Sequence, residues 1–260
     1  MLFQLFTFLR FLWRSKNAHG IQSPFVYQLY RNGLNKDSLE TKVLIKPIND
    51  YKNSLYNNKN IIVVSDFGAG SRIFNSNKRK ISKIAKTAGI SNKNGRILFN
   101  LIRYLNPKSI LEIGTSLGIS TAYMANAAPK SEIYTLEGCP ETAAIAKSQF
   151  EKFNLRNICL VEGNFDNTLP KVLENNQFNL IFFDGNHQKE PTLNYFDLCL
   201  KSATENSVFI FDDIHWNPEM EEAWEKIKEN PRITISIDTF QWGLVFFRKE
   251  QAKQDFTLRV

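Results

Sequence analysis

The spacing of hydrophobic residues changes along this chain and predicts two kinds of structure. From Lys108 onward, short apolar runs such as SILEI, NLIFFD and SVFIFDD are separated by stretches in which apolar residues recur every three or four positions. Short apolar runs bounded by turns are typical of buried strands, and a spacing of three or four is typical of helices. Five strands that are separated by helices predict a parallel α/β sheet.

Two further apolar runs, RITISID and GLVFFR, follow with only a short break between them. A parallel crossover needs about a dozen residues or more, so these two strands are predicted to be antiparallel. The predicted fold class is therefore α/β: a Rossmann-like, doubly wound, mostly parallel seven-stranded sheet with an antiparallel last strand.

The N-terminal part of the chain predicts a mostly helical extension. The stretch from Lys80 to Leu105 has helical spacing, whereas residues 15 to about 60 are polar and irregular. The Asn-rich and Lys-rich text from Tyr51 to Asn60 is typical of a surface loop. We therefore predict an extension or cap over residues 1–94 and a second domain over residues 95–260.

The first fourteen residues, MLFQLFTFLRFLWR, are rich in Phe and Leu but are interrupted by Arg10. The run is too short to span a bilayer, and it lacks the basic start and the small-residue cleavage site of a signal peptide. We expect a helix whose apolar side packs on the domain or on a second subunit, which predicts a homodimer. A helix that lies on a membrane surface, a peripheral contact, is the alternative.

The composition of the 260 residues, 43% hydrophobic and 23% charged, is that of a globular protein with one large domain or one domain plus an extension. Cys139, Cys159 and Cys199 show no C-x-x-C spacing. We therefore expect reduced core residues in a cytoplasmic protein rather than a disulfide framework or a zinc site.

Charge divides the chain into a basic front and an acidic back. Residues 1–108 contain 19 Lys and Arg and 4 Asp and Glu, a balance of +15, and the remainder contains 14 and 22, a balance of −8. Two charge-complementary parts that pack together would explain this division. A basic surface for an anionic partner would explain it too.

A turn with glycines, and then a series of acids, stands at the predicted strand ends. The residues at these ends are Glu112–Ser120, Glu137, Gly163–Asn164, Asp184 and Asp212–Asp213. In parallel α/β sheets, ligands bind beyond the carboxyl ends of the strands, where the strand order reverses. Adjacent carboxylates at the mouth of an apolar strand are costly to desolvate without a partner. The series therefore predicts a cofactor site beside a charged reaction site.

Two glycine turns compete for the cofactor: FGAGS at Phe67–Ser71 and EIGTSLGIS at Glu112–Ser120. A nucleotide-binding turn opens into a helix, and an acid that holds ribose hydroxyls ends the next strand about 20 residues later. Only the second turn has both features, since a helical stretch follows Gly118 and the next strand ends at Glu137. We expect the first turn to be structural.

The second turn also restricts the class of cofactor. Its spacing, Gly114-x-x-x-Gly118, is not the G-x-G-x-x-G pattern of dinucleotide sites, and the phosphate-binding pattern G-x-x-x-x-G-K-[ST] is absent from it. Glu112 precedes the first glycine by two residues. An acid there favours a cofactor with a positive amino group and a sulfonium over one with a pyrophosphate.

The strand-end motifs resemble a known family. LEIGTSLGIS resembles the first motif of class I S-adenosylmethionine-dependent methyltransferases, and IFFDGNH and FDDIHW resemble the O-methyltransferase branch related to catechol O-methyltransferase. HGIQSPF resembles a segment of bacterial relatives of unassigned substrate. The resemblance covers about residues 95–250 well, and the earlier part of the chain only at HGIQSPF and DFGAGSR.

The resemblance implies that S-adenosyl-L-methionine is the cofactor. The implied cofactor-binding residues lie in or beside the strand-end motifs: Glu112, Gly114, Thr115, Ser116, Gly118, Ser120, Glu137, Gly138, Asn164, Phe165 and Asp184. The turn residues would line the methionine part of the cofactor. Glu137 would accept both ribose hydroxyls, and Asn164 and Phe165 would border the adenine.

The resemblance also implies a divalent cation at Asp184, Asp212 and Asp213. Ligands that are all oxygen suit Mg²⁺, Ca²⁺ or Mn²⁺ rather than zinc. This chain departs from the family at Asp213, where the family has an amide, and the departure makes the site more negative. The alternative is that Asp212 or Asp213 caps the next helix or pairs with a basic residue.

Methyl transfer requires that the acceptor is positioned and loses its proton. Three residues after the first acid, where the resembled catechol enzymes carry a lysine, this chain carries His187. Histidine ordinarily titrates near neutrality and suits a general base. His187 and Asp184 are therefore the predicted catalytic residues, and His215 is the rival base.

The predicted function is methyl transfer to an oxygen of a small phenolic, catechol-like or sugar acceptor, whose walls would come from the N-terminal segment and from Thr239–Gly243. A nucleic-acid methyltransferase that uses the basic front is an alternative. The absence of the Asn/Asp-Pro-Pro-Tyr/Phe tetrad of base N-methylating enzymes disfavours it. A cofactor-binding assembly protein without catalysis is another alternative, which the intact motifs disfavour.

Overall fold

The computed structural model describes residues 2–65 and 76–260. Its strands are β1 (Ile61–Val63), β2 (Lys78–Lys80), β3 (Ser109–Ile113), β4 (Glu132–Glu137), β5 (Ile158–Glu162), β6 (Leu180–Phe183), β7 (Val208–Asp212), β8 (Ile235–Asp238), β9 (Trp242–Phe246) and β10 (Gln254–Thr257). The glycine turn predicted at Phe67–Ser71 lies outside the described residues.

The helices of the described part are α1 (Leu2–Arg14), α2 (Pro24–Leu29), α3 (Leu39–Leu44), α4 (Lys46–Tyr56), α5 (Ile81–Thr87), α6 (Asn92–Leu105), α7 (Ile119–Ala127), α8 (Pro140–Lys152), α9 (Phe165–Asn175), α10 (Lys189–Leu200) and α11 (Pro218–Glu229). A 3₁₀ turn covers Ala18–Gly20, and a π-helical turn covers Tyr30–Leu34. The mostly helical N-terminal region predicted from the sequence is present.

The central sheet has the strand order β10-β8-β9-β7-β6-β3-β4-β5. Strands β3 to β7 are parallel to their neighbours among themselves, and β9 is antiparallel to both β7 and β8. The prediction of a mostly parallel, Rossmann-like sheet with an antiparallel strand near its end is confirmed. The described sheet has one strand more than predicted, because β10 pairs in parallel with β8 at the edge.

The strand order reverses beside β3, which lies between β4 and β6. The chain continues from β3 to β4 on one side and later returns to β6 on the other. At this point the Asp184 N–H donates to the Ile113 carbonyl at 2.9 Å, and the Gly114 N–H donates to the Leu136 carbonyl at 3.0 Å. The carboxyl ends of β3, β4 and β6 therefore form the crevice in which open α/β sheets bind ligands.

The side chains of alternate strand residues pack into two different hydrophobic cores. Leu111 and Ile113 of β3 belong to a core that includes Trp224 of α11. Ile110 belongs to the other core, which includes Ile48 of α4. Because side chains alternate along a strand, Glu112 points to the same face as Ile110, which the N-terminal helices cover.

The N-terminal helices share this second core with the sheet. Leu29 and Leu55 are buried in the same cluster as Leu98 and Ile102 of α6. The domain boundary predicted between residues 94 and 95 falls inside the first turn of α6. The division into two domains stays a prediction.

The surface loop predicted from Tyr51 to Asn60 is wrong for its first half, which is the helix α4. Its buried residues are Ile48, Tyr51, Lys52 and Leu55, a spacing of three, one and three that repeats one face of a helix. Asn49, Asp50 and Asn53 between them are exposed to solvent. Because only four residues of this helix are buried, the polar residues around them concealed the helical periodicity in the sequence.

The cysteine prediction is correct in part. All three cysteines are free, and Cys139 and Cys199 are buried as predicted. Cys159 is exposed, because β5 is an edge strand of the sheet and none of its residues is fully buried. The expectation that all three are core residues is wrong for Cys159.

The first fourteen residues form α1, which packs on the C-terminal part of the sheet. Gln4 Nε2 donates to the Trp216 carbonyl at 3.3 Å, and Arg10 pairs with Glu221 of α11. Among residues 2–65 and 76–260, the structure contains no helix with the length and the apolar character that crossing a membrane requires.

Candidate active site

The turn between β3 and α7 is held in an unusual backbone conformation. Gly114, Ser116 and Gly118 have φ values of 109°, 49° and 74°. A Cβ added to Gly114 would lie 2.5 Å from the Asp184 carbonyl oxygen, and one added to Gly118 would meet the Phe150 ring at 2.5 Å and the Tyr51 hydroxyl at 2.7 Å. Both glycines are therefore required by the packing of the protein itself, and not only by the approach of a cofactor.

The carboxylate of Glu137 is fixed at the end of β4, beside this turn. Its Oε2 accepts the Ser116 N–H at 2.6 Å, and its Oε1 accepts the Cys139 N–H at 2.9 Å and the Thr142 hydroxyl at 3.0 Å. Burial raises the pKa of Glu137, and these hydrogen bonds oppose the rise. The structure thus brings Glu137 and the glycine turn together, as the sequence predicted.

Glu112 carries a buried oxygen without a partner. Its Oε2 accepts the hydroxyls of Thr121 and Thr135 at 2.5 Å each, and Thr135 also contacts the Thr115 hydroxyl at 2.5 Å. Its Oε1 has no hydrogen-bond partner within the described structure. Burial raises the pKa of Glu112 to about 8. An orphaned carboxylate oxygen beside the glycine turn fits the positive amino group of S-adenosylmethionine.

At the end of β5, one of the residues predicted to border the adenine has a structural role. Asn164 is exposed and caps α9, since its Oδ1 accepts the Asp166 N–H at 2.8 Å. Phe165 packs edge-on against Tyr195 at 6.1 Å between ring centres, and a Cβ added to Gly185 would meet the Phe165 ring at 2.8 Å. Gly138 is buried beside Glu137. The adenine contacts of these residues stay a prediction.

Asp184, Asp212 and Asp213 lie at neighbouring strand ends, as predicted. Burial first, and then the charge of Asp212 and a hydrogen bond with it, raise the pKa of Asp184 well above its usual range. Gln241 Nε2 donates to Oδ1 of Asp212 and to Oδ1 of Asp213, at 2.8 Å each. The Gln241 amide thus links the Asp212 and Asp213 carboxylates, and the neighbouring charge favours the neutral form of Asp184.

Gln241 is a site residue that was not predicted individually. It lies in the short connection between β8 and β9, after Phe240, whose φ is 72°. The sequence assigned Thr239–Gly243 to the acceptor wall but contained no signal that its amide reaches the acids. Asp213, with a φ of 52°, has a strained backbone like that of Phe240. The two strained residues lie on the two sides of the contact between Gln241 and the acids.

Within residues 2–65 and 76–260, no three His, Cys, Asp or Glu side chains converge as ligands of a metal ion. The three acids supply the oxygen donors that Mg²⁺ prefers. The donor chemistry therefore fits a hard divalent cation, but the described side chains do not converge on one point.

The two candidate bases lie in different places. His187 Nε2 is 4.0 Å from Asp184 Oδ1, and the His187 side chain is 25% exposed. His215 is 7% exposed, and its Nε2 lies 3.0 Å from Asp238 Oδ2 at the end of β8. His215 also stacks on Phe240. The structure therefore brings His187, and not His215, to Asp184.

A small cavity joins the glycine turn to the first acid. The residues that line it come from α5, from the turn and the start of α7, and from the end of β6: Ile84, Ala85, Ala88, Gly89, Ser116, Leu117, Ile119, Ser120 and Asp184. The N-terminal region thus covers the crevice through α5. The Tyr51 hydroxyl of α4 also donates to the Leu117 carbonyl at 2.8 Å.

Comparisons with known proteins agree with this geometry. A methyltransferase domain model matches residues 111–214. Catechol O-methyltransferase of Niastella koreensis is 31% identical over 129 residues, which are 48% of this chain and 58% of that protein. Catechol O-methyltransferase of Mycobacterium tuberculosis is 29% identical over 127 residues, 48% and 56% of the two chains. The chain thus spans less than two thirds of the length of either relative.

Solved structures show the same fold. A methyltransferase of Podospora anserina bound to S-adenosylhomocysteine (SAH) aligns with a TM-score of 0.61 and 19% identity over 86% of this chain and 94% of that one. An O-methyltransferase of Bacillus cereus in complex with SAH aligns with a TM-score of 0.54 and 20% identity, over 85% and 97%. Residues 111–214 thus match a methyltransferase domain, about half of the chain is similar to catechol O-methyltransferases, and the fold is that of these solved methyltransferases.

Proposed function

We propose that this chain transfers the methyl group of S-adenosylmethionine to an oxygen of a small hydroxylated acceptor, of a phenolic, catechol-like or sugar type. The observation that carries the proposal is the cavity in which Ser116 and Ser120 of the glycine turn face the same space as Asp184. A cofactor on the turn would present its reactive end to the acids. The curated relatives named catechol O-methyltransferase support the choice of acceptor.

The proposed cofactor contacts follow from three features at the strand ends. The orphaned Oε1 of Glu112 would accept the cofactor amino group. Glu137, already fixed by the Ser116 N–H, would accept the ribose hydroxyls. Phe165 would border the adenine, because its ring lies between the ends of β5 and β6.

When bound, S-adenosylmethionine supplies a methyl group on a sulfonium, and an acceptor oxygen would bond to the methyl carbon in line as the thioether sulfur leaves. The protein must therefore orient the acceptor and remove its proton. His187 takes this proton at Nε2, which lies on the side of Asp184. Asp184 lies 4.0 Å from this nitrogen, and α5, which lines the cavity, would limit the access of bulk water.

We propose in addition that a divalent cation, Mg²⁺ in the first place, binds Asp184, Asp212 and Asp213. Three carboxyl groups whose mutual charge raises the pKa of Asp184 support this assignment, since a cation relieves the same repulsion. A bound cation would lower the pKa of an acceptor hydroxyl. The proton transfer to His187 does not depend on it.

The test is calorimetric titration with SAH, with and without Mg²⁺, followed by assays of methyl transfer to catechols, simple phenols and sugars. We expect SAH to bind and at least one of these classes to be methylated. A protein that does not bind SAH would contradict the cofactor. A protein that binds SAH and methylates none of the three classes would contradict the acceptor.

A further inference from the structure

The helix α1 has two faces of different character. Its inner face packs on the body of the protein: Phe11 is buried, and Phe8 and Phe11 contact the Phe240 ring at 4.9 and 5.5 Å between ring centres. Arg10 adds an ion pair with Glu221. Since these contacts fix the rotation of the helix, they also fix which side chains face outward.

The outer face of α1 is apolar and exposed. It consists of Leu2, Leu5, Phe6, Leu9 and Trp13, a spacing of three, one, three and four residues that places all five on one narrow stripe. Trp13 is 85% exposed, and each of the other four is more than half exposed. A stripe of this composition on the surface of a water-soluble body marks a contact with an apolar partner.

Positive charge lies at the carboxyl end of the stripe. The first 36 residues contain five Lys and Arg and no Asp or Glu. Arg14 and Lys16 are exposed at the carboxyl end of α1. Arg259 joins them there, because its guanidinium donates to the Leu12 carbonyl at 3.0 Å and to the Ser15 hydroxyl at 3.2 Å. The partner of the stripe is therefore expected to be apolar inside and negative at its surface.

A second copy of the chain fits these features less well. A stable protein interface uses roughly 20–30 residues on each side, whereas the outer stripe offers five. Two such helices packed in parallel would also bring two clusters of Arg and Lys together. The apolar interior and anionic surface of a lipid bilayer match both the stripe and its cationic end.

We propose that α1 docks this protein on the surface of an anionic membrane. The stripe from Leu2 to Trp13 inserts among the lipid tails near the headgroups, parallel to the bilayer plane. Arg14, Lys16 and Arg259 contact the anionic headgroups. This assignment rests on the surface of α1 alone and does not depend on the proposed methyl transfer.

Sedimentation with vesicles tests the proposal directly. We expect the protein to bind vesicles of phosphatidylcholine with one third phosphatidylglycerol, and to bind pure phosphatidylcholine more weakly. Trp13 provides a second signal, since Trp224 and Trp242 are buried and Trp216 is partly buried. Its fluorescence should shift to shorter wavelength on binding, and lipids brominated near the headgroups should quench it.

The decisive variant is Phe6→Glu with Trp13→Glu. Both side chains point into solvent, so the fold should persist, as a thermal melt and circular dichroism can verify. We expect the affinity for anionic vesicles to fall at least about tenfold, because two aromatic side chains no longer enter the bilayer. The matched control is Leu39→Glu with Val43→Glu on α3, where both residues are exposed and the change in charge is the same. The control variant should bind like the wild type.

Three results would overturn the proposal. The first is wild-type protein that stays in solution with anionic vesicles. The second is an equal loss of affinity in the α3 control, which would show a general effect of charge. The third is a dimer in light scattering that Phe6→Glu with Trp13→Glu dissociates, without any vesicle binding by the wild type. That result would assign the stripe to the homodimer predicted from the sequence.

Discussion

Gly114 and Asp184 are in direct backbone contact across the strands β3 and β6, so closely that a Cβ on Gly114 would lie 2.5 Å from the Asp184 carbonyl oxygen. The contact connects the glycine turn to the first acid of the candidate site. Any change in the turn therefore moves the acid as well.

Gly114→Ala should destabilise the protein and weaken SAH binding together. The new Cβ meets backbone atoms that cannot rotate away, and the φ of 109° is unfavourable for alanine. We expect a loss of at least about 2 kcal/mol in the free energy of unfolding, measured with urea. Gly33→Ala is the control, because its Cβ would come no closer than 3.3 Å to another atom, the end of the Leu101 side chain. Equal stability of the two variants would show that the contact with Asp184 is not constraining.

Glu137→Ala should reduce the affinity for SAH by about 2–4 kcal/mol, because a charged acceptor for the ribose hydroxyls is lost. Calorimetry measures this loss, and Glu137→Gln separates the charge from the hydrogen bonds to Ser116 and Cys139. Glu162→Ala is a matched control at the end of β5, directly across from Glu137. An unchanged dissociation constant for Glu137→Ala would remove this residue from the cofactor site.

The raised pKa of Glu112 predicts a dependence of stability on pH. The folded protein keeps the Glu112 proton up to a pH of about 8, whereas the unfolded chain releases it near 4.5. The free energy of unfolding should therefore fall as the pH rises between these values. Glu112→Gln removes this contribution and should flatten the curve, although the raised pKa of Asp184 acts in the same direction and persists. Parallel curves for the two proteins would contradict the assignment.

The same proton should leave when the cofactor binds. A positive amino group beside Glu112 Oε1 favours the charged carboxylate, so SAH binding near pH 7 should release a proton from the wild type. Calorimetric titration in two buffers of different ionisation enthalpy counts this proton. The count should decrease in Glu112→Gln, and an identical count would place the amino group elsewhere.

Alanine substitutions of the three histidines should have three different effects. His187→Ala should lower kcat by about 10²–10⁴ and leave SAH affinity unchanged, because it removes only the proton acceptor. His215→Ala should lower the free energy of unfolding by about 1–3 kcal/mol, because Asp238 loses its partner. His19→Ala, at an exposed position, is the control. A normal kcat for His187→Ala would require another base.

Asp213→Ala tests the proposed cation. The variant should lose Mn²⁺ binding in electron paramagnetic resonance and any stimulation of methyl transfer by Mg²⁺, while SAH affinity stays nearly intact. Asp37→Ala, at an exposed site in the N-terminal region, is the control for charge. Wild-type activity that is indifferent to EDTA, together with no Mn²⁺ binding, would exclude the cation. Gln241 would then be the partner that keeps Asp212 and Asp213 together.

The sequence alone was sufficient to predict the positions of acids that directly follow a continuous apolar strand. Glu137, Asp184 and Asp212 follow continuous apolar runs, and the parallel order of those runs brings their ends to one edge of the sheet. The helix α4 was not predicted, because polar residues separate its buried residues Ile48, Tyr51 and Leu55 from one another in the sequence. Local spacing could not distinguish this pattern from a loop.

Contacts between distant segments could not be predicted from the sequence, for a different reason. Strand β10 alternates polar and apolar residues weakly, and it forms because β8 offers a free edge. Gln241 reaches Asp212 and Asp213 only because β9 is antiparallel to β7. Such contacts depend on the register of strands that are far apart in the chain, which no single segment encodes.

The docking of α1 on the C-terminal strands also determines when this protein can finish folding. Arg259 binds Ser15 across 244 positions of sequence, and the Lys16 N–H donates to the Thr257 carbonyl at 2.8 Å. On the ribosome, α1 is made before these strands, and its contacts with Thr257 and Arg259 cannot form until those residues have emerged. Until then, the side of α1 that faces them stays uncovered. The nascent chain is thus expected to need protection from aggregation until β10 is complete.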